Sequence, residues 1–245
     1  MAKARARSKP TAPRRLPRGR HALTPDEVER DQRERLIAAV PGVVAECGYE
    51  AMSVADIVKA AAVSRNAFYK NFGDKGECFA AAHERGHERL FDVLATPCEP
   101  GATIEARVER ALGAGLTVLA SDTALARLLF VEAPSAGEES ALRYHEWLAR
   151  YGTLLRFAAP ELPPQAIPAP EVEGVIVGGI ASRIASEILN GRAAQLDDLA
   201  APFVEYILAF YRLGEPGPKE GKLVSFEQAE DPAEALEEQH RQASA

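Results

Sequence analysis

Apolar and polar positions between residues 53 and 72 alternate with a helical period that is broken once. Val54, Ile57, Val58 and Ala61 give a first short helix one apolar side, with Ser53 as N-cap and Asp56 three residues on to complete a capping box. Ala62-Val63 forms a turn, and Ser64 caps a second short helix. At 100° per residue, Arg65, Asn66, Tyr69 and Lys70 share one arc of that helix, while Phe68 and Phe72 point elsewhere and dock it on a neighbour. Upstream, Thr24-Pro25-Asp26-Glu27 opens a helix whose stripe is Val28, Leu36, Ile37, Val40, Val43, Val44 and Cys47. Gly48 ends it, and Pro41 predicts a kink or break within it.

Downstream, Gly73-Asp74-Lys75 opens a fourth helix carrying Phe79, Leu90, Phe91 and Leu94. After breaks at Pro97 and Pro100-Gly101, helices are expected over residues 103–120, 122–133 and 138–158. A proline-rich break follows, then helices over 171–190 and 195–213, the last bent at Pro202. No segment reads as a strand, and no repeat is visible. The fold class is all-α, with a small N-terminal domain of residues 24–75 and a larger helical domain of residues 76–213. Residues 1–23 read as a disordered basic arm and residues 214–245 as a mobile acidic tail.

Charge alters this picture at one end. The chain is net −7, yet residues 1–20 hold eight Lys/Arg and no acid. A basic arm on an acidic body suits a protein that meets nucleic acid at one end. Arg18 and Arg20 lie nearest the folded domain and fit a groove-reading arm, with a solubility tail as the alternative. Cys47, Cys78 and Cys98 are odd in number and form no CxxC pair, consistent with reduced thiols in a cytoplasmic protein. No signal peptide or bilayer-spanning run is read, so no membrane partner is expected.

The polar arc has the chemistry to read DNA. A guanidinium can take guanine O6 and N7, an amide can pair with adenine, and a phenol or ammonium can hold phosphate. Lys75, at the opening of the fourth helix, adds its charge to free amides in a phosphate clamp. His83-Glu84-Arg85-Gly86-His87 spells HExxH, the zinc-hydrolase signature, without the extension that would bring a third ligand. Core or pocket-lining histidines are the preferred reading; catalysis, a metal and a cofactor are not expected. A pocket between helices is expected around His83, His87, Phe130, Tyr144, His145, Trp147 and Tyr151, where aromatic bulk meets a few polar tips.

Arg33 to Ala39, Gly48-Tyr49, Ser53 to Ile57, Val63-Ser64, Phe68-Tyr69, Asn71-Phe72 and Asp74-Lys75 resemble the DNA-binding domain of the TetR family of transcriptional regulators. The resemblance spans residues 30–83. It implies a ligand-responsive regulator, read as a repressor, that binds a palindromic double-stranded DNA operator as a homodimer and is released by a small-molecule effector. DNA contacts carry over to Ser53, Ser64, Arg65, Asn66, Ala67, Tyr69, Lys70, Asn71 and Lys75. The two final helices resemble the family's dimer pair, which points to Val175, Gly178, Gly179, Ile184, Phe203, Ile207 and Phe210. Two departures stand out: Ala62 replaces the usual turn glycine, and Ala67 stands where threonine is common. An activator or effector-independent regulator, a zinc hydrolase built on His83 and His87, and a helical adaptor are the alternatives.

Overall fold

The computed structural model describes residues 24–96, 99–159, 161, 167 and 169–213. The expected basic arm with Arg18 and Arg20, Cys98, and the acidic tail lie outside the described residues. Every regular element among the described residues is helical. Three N-terminal helices, α1 (Pro25–Ala51), α2 (Val54–Ala61) and α3 (Arg65–Asn71), precede α4 (Lys75–Ala95) and α5 (Ile104–Ser121). Then come a short α6 (Thr123–Arg127), α7 (Glu138–Ala158), α8 (Pro170–Leu189) and α9 (Ala200–Leu213).

The start of α1 follows from its first residues. Thr24 Oγ1 accepts the Glu27 amide, the Glu27 carboxylate accepts the Thr24 amide at 2.7 Å, and Pro25 takes the first helical position. The expected break at Pro41 does not occur. Helical angles continue through it, and the chain bends instead at Gly48, where φ is 75° and ψ 164°. Val40, Val43 and Val44 are buried on either side of Pro41, and their packing outweighs the lost hydrogen bond. The buried stripe is also narrower than expected, since Val28 is half-buried and Cys47 exposed.

The apolar core runs from α1 to α9 without interruption. α1 packs on α2, α3, α4 and α6, and a two-pronged Arg85–Glu34 pair at 2.6 and 2.9 Å pins α4 to it. In place of one helix over 122–133, α6 passes into a π-turn, Leu128–Glu132, and a 3₁₀ turn, Ala133–Ser135. Pro134 cannot donate to the Phe130 carbonyl, so the chain tightens and closes with the Ala136 amide on Ala133. The last helix is not bent at Pro202. A 3₁₀ segment, Ala193–Leu199, ends before it, and Pro202 sits in the first turn of α9, where a missing N–H costs little. No single helix among the described residues is long and apolar enough to cross a membrane.

Candidate nucleic-acid interface and interior cavity

Two capped helices, α2 and α3, form a helix-turn-helix unit. The Ser53 hydroxyl donates to Asp56 Oδ2 at 2.6 Å and accepts the Asp56 amide at 3.3 Å, and the Ser53 amide donates to the same carboxylate. These bonds hold the Asp56 carboxyl below its ordinary range. The turn closes with Ala62 in the left-handed region, at φ 52° and ψ 43°. An alanine there costs on the order of 1 kcal/mol relative to glycine. Arg35, reaching over from α1, offsets this by donating to the Ala61 and Ala62 carbonyls at 2.5 and 2.7 Å. Ser64 Oγ accepts the Ala67 amide at 3.1 Å and starts α3. Phe68 and Phe72, both buried, seat α3 on the core, and Arg33 covers the Phe72 ring at 4.5 Å.

This leaves Arg65, Asn66, Tyr69 and Lys70 exposed on one side of α3. Arg65 lies over the Tyr69 ring at 5.7 Å, with a guanidinium nitrogen 3.4 Å from the phenol oxygen. The pair presents a guanidinium edge beside a hydroxyl, donors suited to a guanine edge and a phosphate. Three expected contacts are placed differently. Ala67 is buried under α3 and faces the core, because the same 100° spacing that exposes Asn66 turns the next residue inward. Asn71, half-buried, donates its side-chain amide to the Ala67 carbonyl at 2.8 Å. Lys75 donates to the carbonyls of Tyr49, Glu50 and Met52 at 3.1, 3.0 and 3.1 Å, and lies 4.8 Å from the Tyr49 ring. It therefore holds the end of α1 in this structure and is not a free phosphate clamp. Asp74 and Glu77 cap the start of α4, taking the Glu77 and Gly73 amides. Arg33 and Arg35 as struts were missed, since partners 26 to 38 residues away leave no local pattern.

A cavity of about 620 Å³ opens among α4, α5, α7 and α8. Leu90, Leu94, Leu116, Leu154 and Val177 make much of its wall, and Thr96, Glu99, Arg107 and Arg110 also border it. Of the expected pocket residues, Phe130 and Tyr151 line it. His83, His87, Tyr144 and Trp147 are buried beside it or elsewhere in the core without lining it, and His145 is exposed on the outer side of α7. The leucines of α4 and α5 were not expected in this wall, because spacing alone does not separate a core leucine from a cavity wall. Arg107 is a strut, donating to the Ala102 and Ala158 carbonyls and to Glu161.

The HExxH histidines are core residues, 1% and 0% exposed, with rings 4.4 Å apart. His87 Nδ1 is hydrogen-bonded to the Tyr151 hydroxyl at 2.7 Å, and its ring stacks on Trp147. Burial pushes His83 down to about 4 and His87 to about 2, so both are neutral. Glu84, which would be the general base, accepts the Trp147 indole N–H at 2.9 Å. No group of three or more His, Cys, Asp or Glu among the described residues could hold a metal ion.

Of the expected dimer residues, Val175 is 62% exposed. Gly179 is exposed, and Gly178 and Phe210 are half-buried. Ile184, Phe203 and Ile207 are buried within the subunit, on faces that close the core, and are corrected to core residues. Val175, Gly178, Gly179, Ser182 and Leu189 follow one line along the outer face of α8. Gly179 also lets α9 approach, since a Cβ there would meet the Tyr206 hydroxyl at 3.0 Å.

Residues 37–82 match the family model described as bacterial regulatory proteins, tetR family. No curated protein sequence matches. Among solved structures, the chain is similar to the fatty acid degradation regulator FadR from Bacillus halodurans, at 22% identity and a TM-score of 0.64, covering 72% of this chain and 94% of that one. It is also similar to the transcriptional regulator FadR from Bacillus subtilis in complex with stearoyl-CoA, at 20% identity and a TM-score of 0.59, covering 72% and 98%. A tetR-family transcriptional regulator from Streptomyces coelicolor aligns over 88% of this chain and 98% of its own, at 18% identity and a TM-score of 0.60.

Proposed function

We propose that the chain is a TetR-family transcriptional regulator that binds DNA through its helix-turn-helix and acts as a homodimeric repressor released by an effector with a long apolar chain. The observation that carries this reading is the cavity. About 620 Å³ of space lies behind a mostly aliphatic wall, in the size range of small-molecule sites. Polar side chains at Thr96, Glu99, Arg107 and Arg110 border it, so an amphipathic molecule with a polar head suits it better than a compact polar one. The similar structure of the Bacillus subtilis regulator contains stearoyl-CoA, which makes that molecule the first probe.

In this reading residues 24–75 read DNA, and residues 76–213 bind effector and dimerise. Arg65, Asn66 and Lys70 face bases, Tyr69 faces phosphate, and Ser53 and Ser64 set the two helices through their caps. The outer face of α8, with Val175, Gly178, Gly179 and Leu189, meets its copy beside Phe210 of α9. A two-fold protein places two reading helices on a palindromic operator.

Anisotropy of a labelled fragment from upstream of the protein's own coding region, with and without stearoyl-CoA, tests this. DNA affinity should fall about tenfold or more at saturation, and stearoyl-CoA affinity should fall by the same factor on DNA. If stearoyl-CoA saturates the protein and DNA affinity stays the same, effector release is wrong. If it does not bind, the effector class is wrong.

A further inference from the structure

The π-turn Leu128–Glu132 touches the cavity at one residue and the reading unit at another. Phe130 lines the cavity. Two residues on, Glu132 is 9% exposed, and its carboxylate accepts the Tyr49 amide at 3.0 Å and the Arg127 guanidinium at 2.8 Å. Its contact falls where α1 leaves helical geometry at Gly48, and a Cβ on Gly48 would stand 3.5 Å from Glu132 Oε2. From Tyr49 the contacts continue toward DNA. Its carbonyl accepts Lys75, which also holds Glu50 and Met52, the latter next to the N-cap of α2. Its ring meets Phe79 of α4 edge-on at 4.6 Å.

A π-turn carries one residue more than an α-turn, so it has a discrete alternative winding. Rewinding it to α geometry turns the following residues by about 100° and takes Glu132 away from the Tyr49 amide. A buried carboxylate does not slide between intermediate positions, because losing either partner leaves it desolvated and poorly paired. The element is therefore suited to two states, which is what coupling between distant sites requires. We propose that the π-turn joins cavity occupancy to the α1–α2 junction, with Glu132 as the residue that positions the reading unit. This rests on the effector reading given above.

Three variants of the full chain test it by amide hydrogen exchange over the segment containing Tyr49. Glu132→Gln removes the charge, Phe130→Leu alters the cavity side of the turn, and Leu148→Val alters the cavity wall on α7. Exchange at Tyr49 should rise about tenfold in both Glu132→Gln and Phe130→Leu and stay at the wild-type rate in Leu148→Val. Stearoyl-CoA binding, followed by emission of the sole tryptophan, Trp147, should remain within about twofold of wild type in Glu132→Gln while its effect on DNA affinity shrinks. The proposal is overturned if Phe130→Leu leaves Tyr49 exchange unchanged, if Leu148→Val raises it as much, or if Glu132→Gln releases DNA as fully as wild type. Should stearoyl-CoA not bind wild type, the effector class fails and the exchange comparison alone decides the role of the turn.

Discussion

Lys75 shows what a single residue's context changes. In the sequence it is a cation at a helix start, and that pattern suggests phosphate. In the structure its three donors are spent on carbonyls at the end of α1, 23 to 26 residues away. Lys75→Met should cost about 1–3 kcal/mol in urea unfolding, because those carbonyls lose a charged donor. The salt dependence of DNA binding should hardly change. A salt slope reduced by about one with unchanged stability would restore the phosphate role. The caps at Thr24, Ser53 and Ser64 were legible because donor and acceptor lie three residues apart. Arg35 and Glu132 were not, since their partners come from other helices.

At the scale of elements, periodicity placed α4, α5, α7 and α8 to within a residue or two. It failed where tertiary packing overrode a local rule, as at Pro41, or where no period marks the conformation, as in the π-turn. The α4 helix, which joins the reading unit to the cavity, also carries the buried His83 and His87. Folding keeps both neutral, whereas the unfolded chain protonates them near the ordinary histidine value of 6.5. Below that pH the unfolded state binds more protons, so stability falls on acidification. The loss runs from pH 6.5 to about 4 for His83 and continues to lower pH for His87. Each histidine should contribute roughly 1 kcal/mol per pH unit where its effect is fully developed. Urea midpoints between pH 7 and pH 5 should show this slope, and His83→Leu should flatten it. An unchanged slope in that variant would mean His83 is not held neutral by burial.

The whole molecule was legible as all-helical with a helix-turn-helix near its N-terminus, because that unit is local and its motif dense. Its cavity was legible only in part: Phe130 and Tyr151 were expected there, but Leu90, Leu116 and Val177 meet there from three helices and each looks like ordinary core. The same ambiguity misassigned Ile184, Phe203 and Ile207, whose apolar faces serve the subunit interior. At this scale the central claim is that α3 reads DNA through the arc bearing Arg65. The most direct test is anisotropy of the upstream fragment and of random DNA across a salt series, for wild type and Arg65→Ala. Wild type should prefer the upstream fragment and weaken steeply with salt. Arg65→Ala should lose about 1–3 kcal/mol on the upstream fragment and part of its preference over random DNA. Identical binding by wild type and Arg65→Ala on both DNAs at every salt concentration would contradict the account.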